Sequence, residues 1–165
     1  MKLEKNVLKS MNEQINKELF SSYLYLSMSA WCDSENYPGC AKWLSVQSDE
    51  EREHGMKIYH FIHERGGKVE LDAIEKPKTE FKGLSQLFAM VLEHEQKVSA
   101  SITALYETAM KANDYPTQIM LQWFITEQVE EEKNANEIVD LLKKVGDSPV
   151  SLMMFDRQLG ARIGK

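Results

Sequence analysis

Cysteine is almost missing from this chain. Cys32 and Cys40 are the only two, too few for a disulfide framework and without the Cys-x-x-Cys spacing of a zinc or rubredoxin site. Both are expected to be reduced packing residues; a local Cys32–Cys40 bridge is geometrically open, but a reducing cytosol opposes it. Long apolar runs are missing too. No stretch approaches the ~18 residues that would span a bilayer, and the start, Met1-Lys2-Leu3-Glu4-Lys5-Asn6, has no apolar signal core. A soluble, cytoplasmic protein without a membrane partner is the expectation. Basic residues are outnumbered, 20 against 26 acidic ones for a net charge of -6, so no cationic stripe is available to a phosphate backbone and nucleic acid is not an expected partner. Helix breakers are sparse and well separated: Pro38-Gly39, Gly66-Gly67, Pro77, Gly83, Pro116, Gly146 and Pro149.

What lies between the breakers is long and periodic. The 165 residues suit one domain spanning 1–165, and 42% of them are hydrophobic, enough for a sizeable core. The breakers leave segments of roughly 5–34, 39–65, 84–113 and 116–145, each about 40 Å long as a helix. A repeat alternating three and four holds in all of them. The seams read Leu8, Met11, Ile15, Glu18, Ser22, Tyr25, Ser29, Cys32; then Cys40, Leu44, Gln47, Glu51, His54, Ile58, Phe61; then Leu84, Phe88, Val91, Glu95, Val98, Ile102, Leu105, Ala109; and last Met120, Phe124, Glu127, Glu131, Asn134, Ile138, Leu141, Val145. Short breaks at Tyr37-Pro38-Gly39 and Asp114-Tyr115-Pro116 make two antiparallel pairs, and the stretch from Gly66 to Gly83 is long enough to run the length of the bundle. The expected fold is all-α: a four-helix bundle with one long crossover between the second and third helices. The tail from Ser148 to Leu159 reads as a short fifth helix whose Val150, Leu152, Met153, Phe155 and Leu159 need a partner, another subunit being one option.

Every seam carries acid at mid-length: Glu18, then Glu51 with His54, then Glu95, then Glu127 with Glu131. Buried carboxylates at one level would take up protons or repel strongly unless something positive sat among them. No Lys or Arg occupies the seams at that level, since Arg52 and Lys133 lie off them, so a metal ion is the natural counter-charge. Oxygen-rich ligation with one imidazole suits iron or manganese better than structural zinc. Glu51 and His54, three apart, share a helix face and can share an ion. Glu50 stands beside Glu51, and Glu127, Glu130 and Glu131 span about 100° of the fourth helix, which leaves ligands for more than two ions.

These residues resemble the non-haem bacterial-type ferritins over essentially the whole chain. The matching stretches are Asn12-Glu13-Gln14-Ile15-Asn16-Lys17-Glu18-Leu19 with Ser21-Ser22-Tyr23-Leu24-Tyr25, Glu50-Glu51-Arg52-Glu53-His54, Glu93-His94-Glu95-Gln96, Leu121-Gln122-Trp123-Phe124 and Glu127-Gln128-Val129-Glu130-Glu131-Glu132. The resemblance implies a di-iron ferroxidase centre in which Glu18, Glu51 and His54 bind one iron, Glu51, Glu95 and Glu131 bind the second, and Glu51 bridges. It implies a third iron site at Glu50, Glu127, Glu130 and Glu131, a tyrosine beside the centre at Tyr25, and a supporting glutamine at Gln128. It further implies oxidation of Fe(II) by O2 or H2O2 and storage of ferric mineral in a shell of about 24 identical subunits.

Departures separate neighbouring families. Glu127-x-x-Glu130 replaces the Glu-x-x-His of bacterioferritins, and Arg52 stands where those proteins place a haem-ligating methionine, so no haem is expected. The two Cys-x-x-Cys pairs of a rubrerythrin are missing. His60, His63 and His94 have no company comparable to that of His54 and read as solvated or edge residues, Glu53 and Glu132 as solvated helix face, and the nine methionines as flexible packing. Trp31 and Trp123 read as core or interface first. Two other functions share these residues: a scaffold with a structural ion, for which eight candidate ligands are more than is needed, and a di-iron oxidase of an organic substrate or peroxide without bulk storage.

Overall fold

Each expected break becomes a helix boundary. The protein is described by a computed structural model over residues 3–162; Met1 and Lys2, the head of the stretch read above for a signal core, lie outside the described residues. Helix α1 spans Lys5–Ser34, α2 Pro38–Glu64, α3 Leu84–Lys111, α4 Tyr115–Val145 and α5 Pro149–Leu159, and no strand occurs among the described residues. Pro38, Pro116 and Pro149 sit in the first turns of α2, α4 and α5, where the missing N–H has no intrahelical partner to lose. Both short reversals are made by an asparagine in the left-handed region, Asn36 at φ 63° and Asn113 at φ 52°. The next amide then reaches back to the helix it leaves, Tyr37 N–H to Cys32 O at 2.8 Å and Asp114 N–H to Ala109 O at 2.9 Å. Asp114 also caps α4, accepting from Thr117 N–H at 3.2 Å, and receives Arg65 Nη1 at 2.9 Å. The end of α2 is thereby tied to the start of α4.

The long crossover runs alongside α1. Asn12 donates to Lys68 O and accepts from Glu70 N–H, Asn16 donates to Ala73 O, and Ser27 donates to Lys78 O. Contacts on α1 advance as the crossover advances, so the connection climbs along the helix, as joining two hairpins head to tail requires.

Core packing falls into two apolar clusters. One holds Tyr25, Met28, Cys32, Cys40, Leu44, Phe88 and Val91 among others; the other holds Val7, Met11, Ile15, Ile58, Val98, Ile102 and Phe124. Both cysteines are free and buried, in line with a packing role. Along α1, α2 and α3 the acids Glu18, Glu51 and Glu95 fall between the members of these two clusters.

Helix α5 folds back onto its own chain. Phe155 and Leu159 enter the cluster around Cys40 and Phe88, with Leu152 packed against it, whereas Val150 and Met153 stay exposed. The partner expected for this apolar set is in large part the chain itself: three of the five residues are used internally, and another subunit is left as an option only for Val150 and Met153. The dock is fixed by Asp156, whose carboxylate accepts from Gly39 N–H at 3.1 Å and Cys40 N–H at 2.8 Å. It thus supplies the cap that Tyr37, at the N-cap position of α2, does not. The fit has no slack. A Cβ on Gly39 would stand 1.8 Å from the Asp156 carbonyl oxygen. Gly39→Ala is expected to push α5 off α2 and cost about 3 kcal/mol or more, read as a fall in the unfolding midpoint; an unchanged midpoint would contradict this docking.

Candidate metal centre

All four long helices contribute to the polar level of the core. Glu18 from α1, Glu51 and His54 from α2, Glu95 from α3 and Glu131 from α4 are all buried. Glu18, Glu51 and His54 each place a ligand atom within 4.8 Å of the others. His54 Nδ1 stands 3.5 Å from Glu51 Oε2, and its ring is braced edge-on by Trp123 and Phe124. Trp123, partly exposed, is covered in turn by Lys57 Nζ at 4.1 Å from the ring centroid.

Buried amides aim the carboxylates. Gln14 Nε2 donates to Glu18 Oε1 at 2.8 Å, and its own carbonyl oxygen accepts from Ser101 at 2.9 Å. Gln47 Nε2 donates to Glu51 Oε1 and to Glu131 Oε2, both at 2.9 Å, and so links α2 to α4. Gln128 Nε2 donates to Glu95 Oε2 at 3.1 Å, while the Tyr25 hydroxyl donates to the other Glu95 oxygen. Partners of this kind fix ligand orientation and are expected behind any metal site. Two oxygens are left over: Glu18 Oε2 and Glu51 Oε2 are buried without a hydrogen-bond partner. Such atoms are rare in folded proteins, and two in one cluster call for a cation.

The electrostatics agree with that reading. Burial, reinforced by the Glu51 charge, pushes the Glu18 carboxyl up to about 8. Burial and then the Glu95 charge raise Glu51 well above the carboxylate range. Burial raises Glu95 as well, against the hydrogen bonds from Tyr25 and Gln128. Burial and the Glu95 charge also push the Tyr25 phenol far up, so it stays protonated and donates. Without a cation, the cluster holds protons in its place.

The four residues expected for a third ion are spread over a gradient of exposure. Glu50 and Glu131 are buried, Glu127 is partly buried and Glu130 is exposed. Glu50, His54, Trp123 and Glu127 line a cavity of about 550 Å³. On α4 the expected seam is one residue out at every second position: Gln128 is buried where Glu127 was expected, and Leu121, Ala135 and Leu142 replace Met120, Asn134 and Leu141, while Phe124, Glu131 and Ile138 are buried as expected. His94 is not a solvated edge residue. It is partly buried, 2.7 Å from Ser21 Oγ and edge-on to Tyr25, and burial lowers it to about 4, which keeps it neutral. Gln14 and Arg162 escaped the sequence reading. Gln14 had a usable signal, lying one turn before Glu18 on the same face; Arg162 had none.

Comparison with known proteins decides the family. The ferritin-like domain model matches residues 8–145, and the bacterial non-haem ferritin of Staphylococcus aureus strain USA300 is 39% identical over 160 residues, covering 97% of this chain and 96% of that one. This chain belongs to the ferritin family. The bacterial non-haem ferritin of Staphylococcus haemolyticus is 41% identical over the same share of both chains. Among solved structures, an engineered closed form of the Archaeoglobus fulgidus ferritin superposes with a TM-score of 0.97 at 40% identity over 99% of both chains. The open-pore ferritin of that archaeon gives 0.96 over 98% of both. As a ferritin, the protein is an iron-storing ferroxidase, and iron is its substrate and cargo.

Proposed function

We propose that this ferritin oxidises Fe(II) at a two-ion centre inside each subunit, Glu18, Glu51 and His54 holding one ion, Glu51, Glu95 and Glu131 the other, with Glu51 between them. The observation that carries this is the pair of unpartnered buried oxygens, Glu18 Oε2 and Glu51 Oε2, beside the His54 ring. Two ions about 3.5–4 Å apart clamp both ends of a small oxidant, O2 or H2O2. Hard carboxylate oxygens favour the more highly charged Fe(III) product over Fe(II). Gln14, Gln47 and Gln128 hold the ligands in place before iron arrives, so little reorganisation is left for the ions to drive. Tyr25, fully buried and donating to Glu95, orients that ligand of the second ion.

A third position at Glu50, Glu127, Glu130 and Glu131 would receive iron next, and the cavity of about 550 Å³ bordered by Glu50, His54 and Glu127 would give it room to leave. No haem takes part: Arg52, exposed, follows Glu51 where a haem-binding relative carries methionine. The whole chain acts as one domain. Assembly into a homo-24-mer would cover exposed apolar side chains such as Leu26, Leu71, Ile119, Val129 and Val150. No described helix is long and apolar enough to cross a membrane; a cytoplasmic place of action, with neither membrane nor nucleic acid as partner, is part of this proposal and fits the acidic charge balance.

Size-exclusion with light scattering, paired with aerobic Fe(II) addition, tests the reading. A particle of about 24 chains that takes up far more iron than two or three ions per chain supports it. A monomer or dimer that turns over without storing iron would favour a small di-iron oxidase instead.

A further inference from the structure

The stretch after α5 brings a cation to the rim of the centre. Arg162 lies far from α2 in sequence, yet its Nη2 donates to Glu50 Oε2 at 2.6 Å and its Nη1 donates to Gln47 Oε1 at 2.9 Å and to the Trp43 carbonyl at 3.4 Å. The guanidinium lies over the Trp43 ring, 4.4 Å from its centroid. Both charged side chains are largely sheltered, Arg162 at 17% and Glu50 at 10% exposure. Its backbone is anchored as well, since Lys42 Nζ donates to Gly160 O at 3.0 Å and Asp156 grips the start of α2. A cation stacked on an aromatic face, shared between two acceptors and screened from water is a placed group rather than a passing surface contact.

Its two acceptors belong to different parts of the machinery. Glu50 is a proposed third-ion ligand, and the amide of Gln47 is the one that holds Glu51 and Glu131. We infer that Arg162 is the resident counter-cation of the third-ion position: it neutralises Glu50 while that position is empty, and an ion enters only by competing with it. This rests on the third-ion reading given above. Competition makes the third ion weaker and shorter-lived than the two within the bundle, which suits a position that passes iron on. A merely structural Arg162, tying the tail to α2, would act the other way, because loosening the tail would weaken ion binding near Glu50.

The test is anaerobic calorimetric titration of the assembled, metal-free protein with Zn(II), a redox-inert probe, repeated with Fe(II). The wild type is expected to show two tight steps and a weaker third. Arg162→Met should tighten the third step by about tenfold while the first two, felt only through Gln47, move by less than about threefold, and Arg162→Lys, which keeps the charge, should stay within about threefold of wild type at every step. In a Glu50→Gln background, Arg162→Met should change nothing. A third step that is unchanged or weaker in Arg162→Met overturns the counter-cation role. A wild-type third step that is missing, or that Glu50→Gln leaves intact, instead overturns the third-ion reading on which the role depends.

Discussion

Glu51→Gln is expected to slow aerobic Fe(II) oxidation by on the order of 100-fold or more while leaving the fold intact and raising the unfolding temperature of the metal-free protein by about a few degrees. Glu51 is fully buried and stands between the two proposed ions, so its replacement by a neutral amide removes charge from both at once. Glutamine keeps the shape, so the neighbours Gln47 and His54 are not displaced. Stability should rise because burial already holds this carboxyl well above its usual range, and because an amide brings N–H donors into a cluster of acceptors that includes the unpartnered Glu18 Oε2. Opposite movement of activity and stability is what distinguishes a functional acid from a structural one. A variant that lost stability and kept its oxidation rate would show that Glu51 serves packing alone. Stopped-flow absorbance and calorimetric melting of the same preparation read both.

Stability of the metal-free protein is expected to fall as pH rises from about 6.5 to 8, and divalent metal should abolish that fall. The Glu18 carboxyl has the ordinary value of 4.5 when unfolded and about 8 when folded. Between those values the folded chain holds a proton that the unfolded chain has released, so this contribution is complete below pH 4.5 and is lost as pH climbs through 8. The slope is roughly 1.4 kcal/mol per pH unit for each proton. Glu51 and Glu95 are shifted in the same direction and steepen it. His94 works against it at lower pH: lowered from 6.5 to about 4, it makes stability rise with pH between those values, which leaves 6.5 to 8 as the clean window. An ion in the cluster replaces the protons, so its apparent affinity should increase with pH across the same range. Denaturant midpoints at half-unit pH steps, with chelator and with Zn(II), read this directly; a flat profile in chelator would contradict the protonated cluster.

Much of this architecture is written in local pattern, and where it is not the reasons are specific. On α3 every expected seam position, from Leu84 to Ala109, is buried; the run from Leu87 to Leu92 is apolar throughout, and it is Val98, Ile102 and Leu105 further along that fix the phase. On α4 the paired apolar residues Met120-Leu121 and Leu141-Leu142 fit two phases equally, and so does the polar pair Glu127-Gln128, so only packing reveals that Gln128 faces inward. The first seam has the same ambiguity at Val7-Leu8, where Val7 is the buried one. Glu18, Glu51, His54, Glu95 and Glu131 could be seen from sequence because an acid in an apolar seam breaks a rule. Gln14 broke none that was noticed, lying among Asn12, Glu13 and Asn16. Arg162 reaches Glu50 only through the docking of α5, a tertiary event that no periodicity encodes. No Lys or Arg stands on the four seams at the level of the acids, and Arg162 comes to their rim from outside the seams.

The most direct test of the two-ion centre is anomalous diffraction at the iron edge from crystals soaked anaerobically in Fe(II). Two strong peaks per subunit are predicted inside the bundle, one enclosed by Glu18, Glu51 and His54 and the other by Glu51, Glu95 and Glu131, apart from any weaker third beside Glu50. Iron found only on the surface, or a single peak that Glu51 does not touch, would contradict the account.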